Sequence, residues 1–173
     1  MRRKLLCGLA AIVWSHGLTA QSVPARDLWE FPLGAVLEPA ALASEPGGGL
    51  WNPASARMRG GDRWRVGVAA LTSGAEQSVD GQMLSVAVRR SSGVTLALSV
   101  ASTSVGSIVR TSTDPQALGD VPYSSRLLSL TGAREVLPHV TAGVSVRYRE
   151  GRADQTVDHA IAADLGDIVH SLP

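Results

Sequence analysis

From Arg63 onward, apolar and small polar residues alternate with a period of two. Trp64, Val66, Val68 and Ala70 share one parity and Arg65, Gly67, Ala69 and Leu71 the other. Leu84, Val86 and Val88 alternate with Ser85, Ala87 and Arg89, and Val94, Leu96, Leu98 and Val100 with Thr95, Ala97, Ser99 and Ala101. A less regular run spans Ser125 to Val136 around Leu128 and Leu130. Val140, Ala142, Val144, Val146 and Tyr148 then alternate with Thr141, Gly143, Ser145, Arg147 and Arg149. In the last run Ile161, Ala163 and Leu165 oppose Asp158, Ala160, Ala162, Asp164 and Gly166. Successive side chains of a strand point to opposite faces, so this period predicts strands with one apolar face each. Turn residues separate the runs: a polar loop over Gly74 to Gly81, Ser91-Ser92-Gly93, a longer loop from Ser104 to Pro122, and Glu150 to Asp154. The expected fold is all-β, an antiparallel up-and-down meander of about six long strands over residues 63–173.

The stretch before it has a different texture. Residues 21–62 carry Pro24, Pro32, Pro39, Pro46 and Pro53, with Gly47-Gly48-Gly49 and Gly60-Gly61. Prolines at this density forbid long regular elements. A short helix is expected through Pro39 to Ala43. Another starts at Asn52, with Asn as N-cap and Pro53 at the first helical position.

Residues 1–20 read as a secretory signal peptide. Arg2-Arg3-Lys4 is a basic start, Leu5 to Trp14 an apolar run, and Leu18-Thr19-Ala20 a cleavage triplet. An apolar run of about ten residues is too short for a membrane-spanning helix, and no later segment approaches the ~18 required. A spanning β-strand needs only ~9–11 alternating residues, so the membrane stays open as a destination.

Composition narrows the functional classes. There are 16 basic and 15 acidic residues. Removing Arg2, Arg3 and Lys4 leaves 13 against 15, which excludes a nucleic-acid binder driven by excess positive charge. The single cysteine, Cys7, lies in the leader, so a mature protein has neither a disulfide framework nor a cysteine metal site. Lys4 is the only lysine, which excludes a P-loop, a Ser-x-x-Lys dyad and a Schiff-base lysine. No Gly-x-Ser-x-Gly or His-Glu-x-x-His occurs. His139 falls on the polar parity of its strand and His159 on the apolar parity of the next, so they read as surface histidines rather than metal ligands. Asp158 and Asp164, six apart on one strand, stand ~20 Å apart, too far for a paired-carboxylate site. No catalytic constellation, metal site or cofactor is expected. Arg89, Arg147 and Arg149 are candidates to line a lumen, or are solvated edge charges.

Two architectures share this alternation. In an outer-membrane barrel the apolar parity faces lipid and small polar residues face the lumen. In a secreted β-sandwich the apolar parity packs a core ~10 Å thick. Aromatics at Trp64, Tyr123 and Tyr148, near expected strand ends, suit an interfacial girdle. One phenylalanine in the whole chain suits a sandwich core poorly. Under the barrel reading, arginine at Val144 or Leu98 blocks insertion and arginine at Ser145 or Ser99 is tolerated.

Phe31-Pro32-Leu33-Gly34-Ala35 followed by Leu50-Trp51-Asn52-Pro53-Ala54 resembles the N-terminal signature of PorV/PorQ-type outer-membrane barrels, a group similar to the FadL long-chain fatty acid transporters. Ala142 to Glu150, then Ala160 to Gly166 with Ala163-Asp164-Leu165-Gly166, resembles a mid-barrel hairpin of the same group. The resemblance implies an exported transmembrane β-barrel of the bacterial outer membrane with an N-terminal segment against the lumen. Such barrels carry apolar ligands or serve as outer-membrane components of protein secretion, without enzymatic activity. Their partners would be outer-membrane lipid and secretion-system or barrel-assembly proteins. Asn52, Pro53 and Ala54 would hold the kink of the N-terminal segment. Glu45 to Gly49 replaces the group's usual acidic stretch. Barrels of this group have roughly twice the strands, and eight is the practical minimum for closure. The chain is therefore expected to be a truncated frame holding an incomplete barrel, or one of several chains closing it. A secreted or periplasmic β-sandwich acting as a binding or adhesion module is the alternative.

Overall fold

The computed structural model describes residues 23–25, 28, 48–74, 78–111 and 117–170. The leader, the Phe31 to Ala35 motif and the expected helix at Pro39 to Ala43 lie outside the described residues. Among the described residues a helical turn, α1 (Gly48–Trp51), and a 3-10 turn (Pro53–Ala56) precede eight strands. These are β1 (Trp64–Thr72), β2 (Val79–Arg89), β3 (Thr95–Val105), β4 (Val109–Thr111), β5 (Ala117–Asp120), β6 (Tyr123–Leu137), β7 (Val140–Ala153) and β8 (Thr156–Val169).

Six of them form one sheet in the order β1-β2-β3-β6-β7-β8, every neighbour antiparallel. Each strand thus pairs with its successor in the chain, apart from the small β4–β5 hairpin carried on the β3–β6 connection. This is the expected meander.

Three local expectations are corrected. Val79, Asp80 and Gly81, read as loop, are the start of β2 and pair with Val105, Ser104 and Thr103. Glu150 to Ala153, read as a turn, continue β7, and the reversal is made by Asp154-Gln155. Long-range pairing with β6 overrides the local turn chemistry of Glu-Gly-Arg. His139 belongs to no strand. It occupies the Pro138-His139 turn between β6 and β7 with φ +68°. Pro138 then His139 at positive φ is the pattern of a type II turn. That turn splays the strands it joins, and β6 shifts register just before it, between Glu135 and Leu137.

The register lines the apolar parity into rows across all six strands. One row is Trp64, Val88, Leu96, Gly132, Val144, Leu165. The next is Val66, Val86, Leu98, Leu130, Val146, Ala163. The third is Val68, Leu84, Val100, Leu128, Tyr148, Ile161. A polar row follows at once, with Gln82, Ser102, Arg126, Glu150 and His159 after Ala70. Tyr148 therefore stands inside β7 at this boundary rather than at a strand end.

These rows are exposed. Val66, Leu98, Leu130 and Val146 all stand open, and Leu165 on the edge strand β8 reaches 86 % exposure. The opposite face, of Ser, Thr, Gly and Ala, is the buried one. Thr95, Ser129, Thr141 and Ser145 are at most 1 % exposed. The one apolar cluster, Met58 with Ala87 and Ala97, also lies there among the described residues. Apolar outside and hydroxyl inside reverses the order of a water-soluble sheet.

Candidate functional site

Buried hydroxyls need partners, and the polar face supplies them within itself. Ser99 Oγ donates to Ser85 Oγ at 2.9 Å, and Ser129 and Thr131 oxygens lie 3.5 Å apart. The rest of the cover comes from the chain before β1, which crosses this face from strand to strand. The crossing can be followed residue by residue. Asn52 Nδ2 donates to the Asp167 carbonyl of β8 at 3.0 Å. Pro53 lies over Gly143 of β7. Arg57 pairs with Glu135 of β6, and its Nη1 lies 3.4 Å from Thr141 Oγ1 of β7. Met58 N–H donates to Thr95 Oγ1 of β3 at 3.1 Å. The Gly60 carbonyl accepts from Arg89 of β2. Four residues on, β1 begins at the far edge.

Asn52 does two jobs. Its Oδ1 accepts from Ala54 N–H at 3.0 Å, capping the 3-10 turn as expected, while its Nδ2 reaches the edge strand. Its backbone carbonyl takes the Ser55 hydroxyl at 2.7 Å. Pro53 and Ala54 are buried. Gly143 and Gly166 face each other across β7 and β8 and form the socket for this turn. A Cβ on Gly143 would stand 2.3 Å from the Pro53 carbonyl carbon, and one on Gly166 2.1 Å from Asn52 Oδ1. Sequence reasoning singled out Asn52, Pro53 and Ala54 but not the two glycines. A further glycine, Gly151, lies beneath Pro24 in the same way.

The three candidate arginines divide. Arg147 lies on the polar face, 7 % exposed, with Nε 3.0 Å from Asp164 Oδ2 as an ion pair. Ser145 Oγ also donates to that carboxylate, at 3.3 Å. Arg149 shares the same parity, two residues further along β7. Arg89 ends β2 and is engaged by the Gly60 carbonyl. The structure thus places Arg147 and Arg149 side by side and Arg89 elsewhere, at the rim.

A second cluster at the rim went unread in the sequence. His170, just past β8, sits 2.8 Å from Arg59 Nη2 and 3.3 Å from Thr141 Oγ1. Loss of hydration, then the Arg59 and Arg57 cations, hold its pKa below the ordinary 6.5; Glu135 pulls the other way and His139 adds to the lowering. His159 lies on the apolar parity and stacks on Tyr148 with ring centroids 5.9 Å apart.

No group of three or more His, Cys, Asp or Glu side chains is placed to hold a metal among the described residues. The polar groups gathered on this face are hydroxyls and two ion pairs, Arg147–Asp164 and Arg57–Glu135. They can position a segment. No known family model, curated protein or solved structure matches this chain.

Proposed function

We propose that this chain is an exported outer-membrane β-barrel protein of the PorV/PorQ type. In this reading it moves apolar ligands or serves protein secretion, and has no enzymatic activity. The observation that carries the membrane part is the set of three apolar rows on the exposed face, backed by a buried hydroxyl face. Water would charge ~25 cal/mol for each Å² of that apolar face, and hydrocarbon removes the penalty. On β7 the apolar parity runs unbroken from Val140 to Tyr148, ~27 Å along the strand and ~20 Å along the normal at a ~40° tilt, close to the apolar height of such barrels. The crossing segment fits the lumen-side N-terminal segment of that group. Closure needs at least eight strands, so β1 and β8 must each take a further strand, from this protein or another. The choice between ligand transport and secretion rests on the resemblance alone.

The β-sandwich binding module has one observation in its favour. The three rows that are apolar on every strand span only ~14 Å from first to last. A second sheet would cover a band of that height.

Insertion into lipid vesicles tests the reading. Leu98→Arg or Val144→Arg should abolish insertion, because arginine at the midplane of a barrel's lipid face costs ~2–4 kcal/mol. The control belongs at Ala162, exposed on the polar face. Ser145 and Ser99, which the sequence offered as tolerant positions, are buried there, so arginine at either would fail on packing alone. Equal insertion of Leu98→Arg and Ala162→Arg would overturn the membrane reading.

A further inference from the structure

A twisted sheet is saddle-shaped, so even an outward face is concave along one diagonal. On the apolar face this concavity is a trough of about 740 Å³ running across five strands. That lies within the ~300–1,000 Å³ of small-molecule sites. Its floor is Val68, Leu84, Val100 and Leu128, with the Tyr148 ring at one side. Its polar end is formed by the next row, where Arg126 and Glu150 stand opposite each other on β6 and β7. Arg126 Nη1 is 3.5 Å from Glu150 Oε1, and the arginine side chain is 73 % exposed. The change from apolar floor to ion pair takes one face step, ~7 Å along the strand.

That arrangement selects a ligand by charge. A guanidinium offers paired donors to a phosphate. The carboxylate beside it accepts from an ammonium. We propose that the trough binds a phospholipid whose headgroup joins a phosphate to a primary ammonium, as in phosphatidylethanolamine, with an acyl chain along the apolar floor. The proposal rests on the membrane reading above. The phosphate opens the Arg126–Glu150 pair and takes the arginine, and the ammonium two carbons away replaces it on Glu150. A headgroup with phosphate and no cation, such as phosphatidylglycerol, would satisfy Arg126 but leave Glu150 facing an anion.

The test uses the full chain inserted in vesicles of equal phosphatidylethanolamine and phosphatidylglycerol, extracted in mild detergent. The retained lipids are counted by mass spectrometry. Wild type should retain the ethanolamine lipid over the glycerol lipid by about fivefold, the effect of one charge contact near a bilayer surface. Glu150→Gln should erase the preference, and Arg126→Gln should lower retention of both. Arg126 is exposed and Glu150 half-buried, and Gln keeps the size of the glutamate side chain, so neither variant should impair folding. Insertion with equal retention of the two lipids, or a preference unchanged by Glu150→Gln, would overturn the site and leave the membrane reading standing. Failure to insert into any vesicle would overturn both.

Discussion

Asn52 and Asp167 are 115 residues apart in sequence and joined by one hydrogen bond, side-chain amide to backbone carbonyl, at 3.0 Å. Through it the segment before the first strand holds the last strand of the sheet. The Asn52 oxygen is already committed to Ala54 N–H. Asn52→Asp keeps the cap and removes the donor, setting a carboxylate oxygen against the Asp167 carbonyl. Asn52→Ala removes both. Loss of the cap alone costs about 1 kcal/mol. Both variants should lower the unfolding midpoint and speed protease cleavage near residue 52. An Asn52→Asp protein as stable as wild type would show that the bond to β8 contributes nothing.

Gly143 and Gly166 should tolerate no side chain. Alanine at Gly143 meets the Pro53–Ala54 backbone, which cannot move aside as a side-chain tip would. A destabilisation of about 1–3 kcal/mol is expected, as for other overpacked sites. Chemical denaturation of Gly143→Ala, with Gly132→Ala as control, measures it. A Cβ at Gly132 meets only side-chain atoms, the nearer at 3.8 Å.

Much of the sheet was legible, because a period of two survives in any strand with one apolar face. The strands and their apolar parity followed from Leu96, Leu98 and Val100 and their counterparts. So did the cap at Asn52, since Asn-Pro before small residues is a local signal. The glycine socket was not legible. A glycine on a face of Ser, Thr and Ala breaks no pattern, and only the approach of Pro53 gives Gly143 a reason. The same holds for Arg57 and Glu135, paired across 78 residues, and for Arg59 and His170. Which environment the apolar parity meets is not written in the alternation at all, since lipid and a second sheet require the same residues.

Arg147 should be the most sensitive arginine. It is buried beside Asp164, and removing either member leaves the other poorly solvated. Asp164 keeps 39 % of its side-chain surface, so water offsets part of the loss and Asp164→Asn should cost about 1–2 kcal/mol. Arg89→Gln, at the rim, should cost less. Equal effects of Asp164→Asn and Arg89→Gln in thermal unfolding would contradict the burial difference.

Acid should loosen the rim. His170 is held below its ordinary 6.5, so the folded state binds its proton less readily than the unfolded one. The stability contributed by neutral His170 is present above pH 6.5 and is lost as pH falls from there through the lowered folded value. Protonation sets a cation against Arg59 and Arg57. Nuclear magnetic resonance titration should place the His170 midpoint below 6.5, and added salt should reduce the shift. A midpoint above 6.5 would mean that Glu135 governs the site instead.

The most direct measurement asks what touches the apolar rows. With Cys7 replaced by serine, single spin labels at Val66, Leu98 and Val144, and at Ala162 on the other face, can be compared in vesicles. Labels on the three apolar positions should collide with oxygen, which concentrates in hydrocarbon, and be shielded from a water-soluble nickel chelate. The Ala162 label should show the reverse. Apolar-face labels shielded from both agents, packed against protein, would contradict the account and establish a covered sheet instead.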